Sequence, residues 1–174
     1  MKKTVHNFHY RSGKLYCESI PVESLAQQAG TPLFVYSQKT LVENIRRLET
    51  AMAPLNPHLC YAVKANASLG ILSLMAQIGI GFDVVSIGEL KKAKHAGGKT
   101  EQCVFAGVGK TEEEINAALG LGIYAFNVES IPELERINRL AKKQNKKAPV
   151  AIRVNPDVDA KTHAKITTGT YENK

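Results

Sequence analysis

The sequence predicts an α/β domain built on a parallel sheet, and two observations support this prediction. Short apolar segments with the length of buried strands alternate with longer segments whose apolar residues recur at helical spacing. Polar residues, Lys64, Asp83 and Arg153, stand at or near the ends of three predicted strands. Both an open doubly wound sheet and a (β/α)8 barrel satisfy this pattern, and the catalytic groups of a barrel lie at the carboxyl ends of its strands.

The first 32 residues differ from the rest of the chain. They contain several aromatic residues, a predicted turn at Ser12-Gly13 and a predicted short helix near residues 23–29. Gly30-Thr31-Pro32 breaks regular structure and marks the end of this segment. We expect residues 1–32 to be a segment of their own and the repeating pattern to occupy residues 33–174.

The repeating pattern begins at Leu33, and each predicted strand but the last is followed by a helix. The predicted strands are residues 33–36, 58–65, 81–86, 103–106, 124–128 and 150–155. The predicted helices are residues 40–53, 69–78, 88–96, 112–119 and 131–143. Thr111 and Glu114 have the spacing of a capping box at the start of the fourth helix. No Gly-x-Gly-x-x-Gly follows a predicted strand, so the best signature of a dinucleotide fold is missing.

Composition bounds the class of protein. The 174 residues are 44% hydrophobic and 22% charged, as in one globular domain. No apolar run has the length of a membrane span, and no apolar export signal follows the Met-Lys-Lys start. Cys17, Cys60 and Cys103 are far apart and are expected to be reduced and mostly buried. We therefore expect a cytoplasmic protein that has no membrane partner.

The formal net charge of +7 raises the question of a nucleic-acid partner. The basic residues concentrate at 91–95 and 136–147, near the ends of predicted helices, where cations interact favourably with the helix dipole. We interpret them as solvated helix faces and expect no nucleic-acid partner. The net charge favours an anionic cofactor or substrate.

Lys64 is the first candidate for chemistry. It lies near the end of an otherwise apolar run, and alternation along a strand places it on one face with Ala62 and places Val63 on the other. The small side chain of Ala62 leaves room for a bulky group. An amine in a partly dry pocket loses its proton more readily, and the neutral amine attacks a carbonyl to give a Schiff base. The alternative is a strand-end lysine whose head reaches water.

Six segments, taken in order, resemble the pyridoxal-phosphate decarboxylases that share the alanine-racemase type of barrel. They are GTPLFVY at 30–36, YAVKAN at 61–66, GFDVVS at 81–86, FAGVGK at 105–110, FNVES at 126–130 and IRVNP at 152–156. The resemblance covers nearly the whole chain. GTPLFVY, together with HAKITTG at 163–169, favours members that decarboxylate meso-2,6-diaminopimelate over members that act on ornithine or arginine.

The resemblance implies a (β/α)8 TIM-type barrel, present here as about five strands, and it assigns residues 1–32 to a separate β domain. It also implies that pyridoxal 5′-phosphate attaches to Lys64, that Ala62 lines the cofactor ring and that Asp83 lies beside the lysine. Arg153 would contact the side of the ring that carries the phenolic oxygen. A guanidinium there stabilises negative charge, and a carboxylate beside the amine assists proton transfer.

These residues also have plainer interpretations. Asp83 could bond a neighbouring backbone amide, and Arg153 could form an ion pair with Asp157 or Asp159. His163 could be a hydrogen-bonded loop histidine.

The family pattern continues into a Lys-Phe-Gly motif, whereas this chain stops at Lys174. We expect the chain to be the N-terminal part of a longer enzyme and to be inactive by itself. We expect the complete enzyme to act on a small amino acid and to form a homodimer with shared active sites. The alternatives are another basic-amino-acid decarboxylase, an amino-acid racemase, and a catalytically silent protein that binds pyridoxal phosphate.

Overall fold

The computed structural model describes residues 6–158, which divide between two compact units, residues 1–58 and residues 59–174. The first unit contains an antiparallel sheet of β1 (Phe8–Arg11), β2 (Lys14–Cys17) and β3 (Ile20–Pro21), with helices α1 (Val22–Ala29) and α2 (Gln38–Met52). The turn predicted at Ser12-Gly13 is confirmed as the loop between β1 and β2. Both residues have positive φ, 50° and 76°, as two-residue hairpin loops commonly require.

The amino end of α2 is held by Ser37 and Glu18. The hydroxyl of Ser37 accepts from the amide of Thr40 at 3.0 Å. One carboxylate oxygen of Glu18 accepts from the amide of Lys39 at 2.9 Å and from the Ser37 hydroxyl at 2.8 Å. These bonds, the one from Lys39 above all, lower the pKa of Glu18.

The strand predicted at residues 33–36 is wrong. Residues 33–37 belong to no helix or strand, and the sheet described in this unit consists of β1, β2 and β3. The apolar residues that suggested a strand are exposed, with Phe34 at 86% and Tyr36 at 55%. An apolar run has the composition of a strand, but it becomes one only when a neighbouring strand pairs with its backbone.

The second unit contains a parallel sheet in the order β4-β5-β6-β7-β8, which confirms the predicted α/β class with a parallel sheet. The strands are β4 (Cys60–Ala62), β5 (Gly81–Val84), β6 (Cys103–Phe105), β7 (Ala125–Val128) and β8 (Val150–Ile152). The helices between them are α3 (Leu69–Gln77), α4 (Ile87–His95), α5 (Glu112–Leu121) and α6 (Ile131–Lys143). All of these elements were predicted, and the strands are shorter than the apolar runs that indicated them.

The two faces of the parallel sheet differ. Phe82, Phe105 and Phe126 are fully buried on the same face, and the rings of Phe105 and Phe126 stack at 6.3 Å. Because successive side chains of a strand alternate, Ala62 and Asp83 lie on the other face, where they are register partners. Their face is only partly buried, so it is the one that can receive a ligand.

Three helices of this unit begin with the same side-chain pattern, a Ser or Thr cap followed three residues later by Glu. The pairs are Ser86 with Glu89, Thr111 with Glu114, and Ser130 with Glu133, and in each pair the cap accepts from the glutamate amide. The capping box predicted at Thr111 is confirmed, since Glu114 returns the bond at 3.1 Å. No helix within residues 6–158 has both the length and the apolar character needed to cross a bilayer.

The three cysteines are free thiols, as predicted. Cys17 and Cys103 are buried, and Cys60 is half-buried. Burial raises the pKa of both Cys60 and Cys103 to about 11, so these thiols are protonated at neutral pH.

Candidate active site

The predicted site residues within the described chain all lie toward the carboxyl edge of the parallel sheet. Ala62 ends β4, Lys64 follows it, Asp83 lies near the end of β5 and Arg153 follows β8. Ala62 and Asp83 are brought side by side. Arg153 is three strands from Asp83, about 14 Å along a sheet with strand spacing of about 4.8 Å. His163 lies outside the described residues.

Lys64 lies in a single turn of 3-10 helix, Val63–Ala65, and not in the strand as predicted. The hydroxyl of Tyr61 donates to the carbonyl of Asn66 at 3.1 Å, and this bond closes the turn. Val63 is fully buried, whereas Lys64 is exposed. The strand alternation used to predict the face of Lys64 therefore holds only as far as Ala62.

Asp83 has an unusual electrostatic environment. Burial raises the pKa of its carboxyl group, the positive charge of Lys64 lowers it, and the negative charge of Glu89 raises it further. Its Oδ1 is buried and has no hydrogen-bond partner within residues 6–158. The plainer interpretation, in which Asp83 accepts from a neighbouring backbone amide, does not hold for this oxygen. This oxygen is therefore a buried acceptor whose hydrogen-bonding capacity is not used by the described residues.

Glu129 is the acidic partner of Arg153. The Nη1 of Arg153 donates to Oε2 of Glu129 at 3.2 Å, and the amide of Gly107 donates to Oε1 at 3.1 Å. The partners predicted from the sequence are Asp157 and Asp159, and Asp159 lies outside the described residues. Glu129 was not predicted, although it directly follows a predicted strand and the other predicted site residues also stand at or near strand ends.

Glu89 was also missed. It lies in the first turn of α4, where its Oε2 accepts from the amide of Val85 at 2.8 Å, and its charge acts on Asp83. The signal available for it was the Ser-x-x-Glu spacing, which predicts a helix start and carries no information about a nearby carboxylate.

Pyridoxal phosphate, the cofactor implied by the resemblance, fits this set of groups. Lys64 offers an exposed amine to an aldehyde, and the unpartnered oxygen of Asp83 offers an acceptor nearby. Arg153 offers guanidinium protons to an anionic oxygen. Ala62, on the face of Asp83, leaves room for a ring.

Comparison with known proteins agrees with this chemistry. A diaminopimelate decarboxylase from Neisseria meningitidis is 52% identical over 160 residues, which are 92% of this chain and 39% of that protein. One from Vibrio cholerae is 51% identical over 169 residues, or 96% of this chain and 40% of that protein. This chain therefore spans about two fifths of the length of these relatives.

The structural and family matches agree. The crystal structure of a diaminopimelate decarboxylase from M. jannaschii in complex with L-lysine matches 97% of this chain and 40% of that chain, with a TM-score of 0.86 and 40% identity. Residues 38–174 match the pyridoxal binding domain of the pyridoxal-dependent decarboxylases. With this match over most of its length, the chain belongs to the pyridoxal-dependent decarboxylase family.

Proposed function

We propose that this chain is the N-terminal part of an enzyme that decarboxylates meso-2,6-diaminopimelate to L-lysine, the last step of lysine biosynthesis. The observation that carries the proposal is the identity of about half of its residues to diaminopimelate decarboxylases over nearly all of its length. The acid, the amine and the guanidinium at one edge of the sheet supply groups that such a reaction uses.

The five-stranded sheet is, in this proposal, the first part of a (β/α)8 barrel, and residues 1–32 belong to a β domain. Among the described strands, β4 and β8 each have one neighbour only, so each leaves an edge on which further strands can pair. A closed barrel would place its carboxyl edge around one site.

Lys64 holds the cofactor covalently through its amine, and Ala62 gives the ring space. When bound, pyridoxal phosphate would supply an electron sink for the pair left on the α-carbon when carbon dioxide leaves, until a proton replaces the carboxyl group. Arg153 binds an anionic oxygen of the cofactor and stabilises its negative charge.

Asp83 holds or returns a proton at Nζ of Lys64. Its raised pKa supports this role, because a carboxyl group that titrates closer to neutral pH is a better proton carrier. The positive charge of Lys64 acts on this carboxyl group, which supports assigning the two residues to the same proton transfer.

The complete enzyme is proposed to be a cytoplasmic homodimer whose subunits share active sites. The resemblance to the family supports the dimer, and the three free cysteines support a reducing compartment. Sedimentation of the complete protein at several concentrations tests the dimer.

The function is tested with the complete protein and meso-2,6-diaminopimelate. We expect release of carbon dioxide and L-lysine that depends on pyridoxal phosphate. Lys64→Ala should lower turnover by at least about a thousandfold, because the attachment group is lost. Its melting temperature without cofactor should stay close to that of the parent, because an exposed lysine fills no core space.

Lys91→Ala is the matched control, since Lys91 is an exposed lysine of α4, and it should retain parental turnover. Borohydride reduction followed by peptide mapping should place the pyridoxyl group on Lys64. A label on another lysine, with Lys64 unmodified, contradicts the assignment. Preference for ornithine or arginine, racemisation without carbon dioxide release, or binding without turnover would favour the alternative functions.

A further inference from the structure

Arg153 is bound by a carboxylate that is nearly buried. The side chain of Glu129 is 11% exposed, against 43% for that of Arg153. One oxygen of Glu129 accepts from Arg153 at 3.2 Å, and the other accepts from the amide of Gly107 at 3.1 Å. Because both oxygens are engaged, the carboxylate has a defined orientation, and so has the guanidinium that it binds.

A buried ion pair lies behind Glu129. The Nζ of Lys110 lies 2.6 Å from Oε1 of Glu133, and the two side chains are 1% and 7% exposed. The other oxygen of Glu133 accepts from the backbone amide of Glu129 at 2.8 Å. Lys110 also donates to the carbonyls of Gly107 and Asn127, each at 2.8 Å. All three protons of its ammonium group therefore have acceptors.

These contacts fix three chain segments against one another. Lys110 and Glu133 join the loop after β6, the end of β7 and the first turn of α6. Gly107 is held twice, through its carbonyl by Lys110 and through its amide by Glu129. A buried ion pair adds little net stability, because removing two charges from water is costly. The main consequence of this pair is therefore that it holds the three segments in a defined arrangement.

We infer that Glu129 is a positioning residue for Arg153, anchored by the Lys110–Glu133 pair, and that it aims the guanidinium at an anionic group of the cofactor. The inference rests on the proposed function, because it takes Arg153 to bind pyridoxal phosphate. A guanidinium carries five N–H donors, so the bond to Glu129 leaves donors for a second acceptor. Glu129 and Arg153 together line three cavities of about 230, 230 and 210 Å³ at this edge.

A double-mutant cycle on cofactor affinity tests this inference in the complete protein. The dissociation constant of pyridoxal phosphate is measured by titrating the apoprotein for the parent, Glu129→Gln, Arg153→Met and the double variant. We expect Glu129→Gln to raise the dissociation constant about tenfold in the parent. In the Arg153→Met background it should change the dissociation constant less than about twofold, because the arginine that Glu129 positions is absent. Glutamine keeps an acceptor for the amide of Gly107 and loses the charge.

Glu112→Gln is the control, because it breaks the exposed ion pair with Arg139 and should leave the dissociation constant unchanged. If Glu129→Gln does not fold, Glu129→Asp takes its place in the cycle. Equal weakening in both Arg153 backgrounds, or none in the parent, overturns the inference and leaves the proposed function standing. A complete protein that binds no pyridoxal phosphate at Lys64 overturns both.

Discussion

Asp83 combines a buried oxygen with a charged neighbour. Its Oδ1 has no hydrogen-bond partner in the described part of the chain, and burial is the main cause of its raised pKa. A carboxyl group whose pKa is higher in the folded state favours folding in its protonated form. Ionisation of Asp83 therefore lowers stability, and this cost is absent below the pKa of the unfolded chain and fully present above the pKa of the folded one.

Asp83→Asn should consequently raise stability at neutral pH and impair function. For the complete apoprotein, we expect the melting temperature of the variant to exceed that of the parent by more at pH 7 than at pH 4. The reason is that only the parent has a carboxyl group at position 83 that ionises over this range. Turnover with cofactor should fall at least about tenfold, since the amide cannot carry the proton. Calorimetry at the two pH values and a decarboxylation assay measure the two effects.

Glu113→Gln is a suitable comparison, because Glu113 is an exposed residue of the first turn of α5. It should retain turnover. If the melting temperatures of Asp83→Asn and the parent differ by the same amount at both pH values, burial does not raise the pKa of Asp83 as proposed.

The close packing of β4, β5 and the segment before β6 requires a glycine at position 81. A Cβ on Gly81 would lie 2.2 Å from the backbone oxygen of Gln102 and 3.1 Å from Sγ of Cys60. A backbone oxygen cannot rotate away as a side chain can, so the strands themselves would have to shift.

Gly81→Ala should therefore destabilise the parallel sheet by about 1–3 kcal/mol, the usual cost of overpacking. Gly120→Ala in α5 is the matched control, since a Cβ there meets nothing within 4 Å. It should stabilise the protein by about 0.5–1 kcal/mol, because alanine loses less backbone entropy in a helix. Denaturant unfolding of the two variants measures both changes, and equal stability of the two would show that the close approach is relieved without cost.

The parallel sheet as a whole has two edges among the described strands, β4 and β8. Apolar side chains at and after β8 are exposed: Val150 at 40%, Ile152 at 68% and Val154 at 76%. Unpaired strand backbone beside exposed apolar side chains favours pairing with another chain.

The 174-residue chain alone should therefore associate or exchange elements with other copies, and it should not decarboxylate diaminopimelate even when cofactor is supplied. The five parallel strands of the described residues do not close a barrel, so the groups at their carboxyl ends are not enclosed. Size-exclusion chromatography and an activity assay check this. A compact monomer that releases carbon dioxide would show that the proposed barrel and the proposed dependence on further chain are both wrong.

The helices and strands of the parallel sheet, their order along the chain and the edge that carries Lys64, Asp83 and Arg153 could all be predicted from local sequence. Strand and helix periodicity, like a capping box, is encoded within a few neighbouring residues, so it can be recognised without the fold. That residues 33–36 form no strand and that β4 ends before Lys64 became clear only from the tertiary structure, because pairing partners and turn closure set those limits. It alone joined Arg153 to Glu129 and Lys110 to Glu133, which lie 24 and 23 residues apart in the chain. Contacts over such separations exist only once parallel strands have brought successive loops to one edge, and local sequence patterns do not record them.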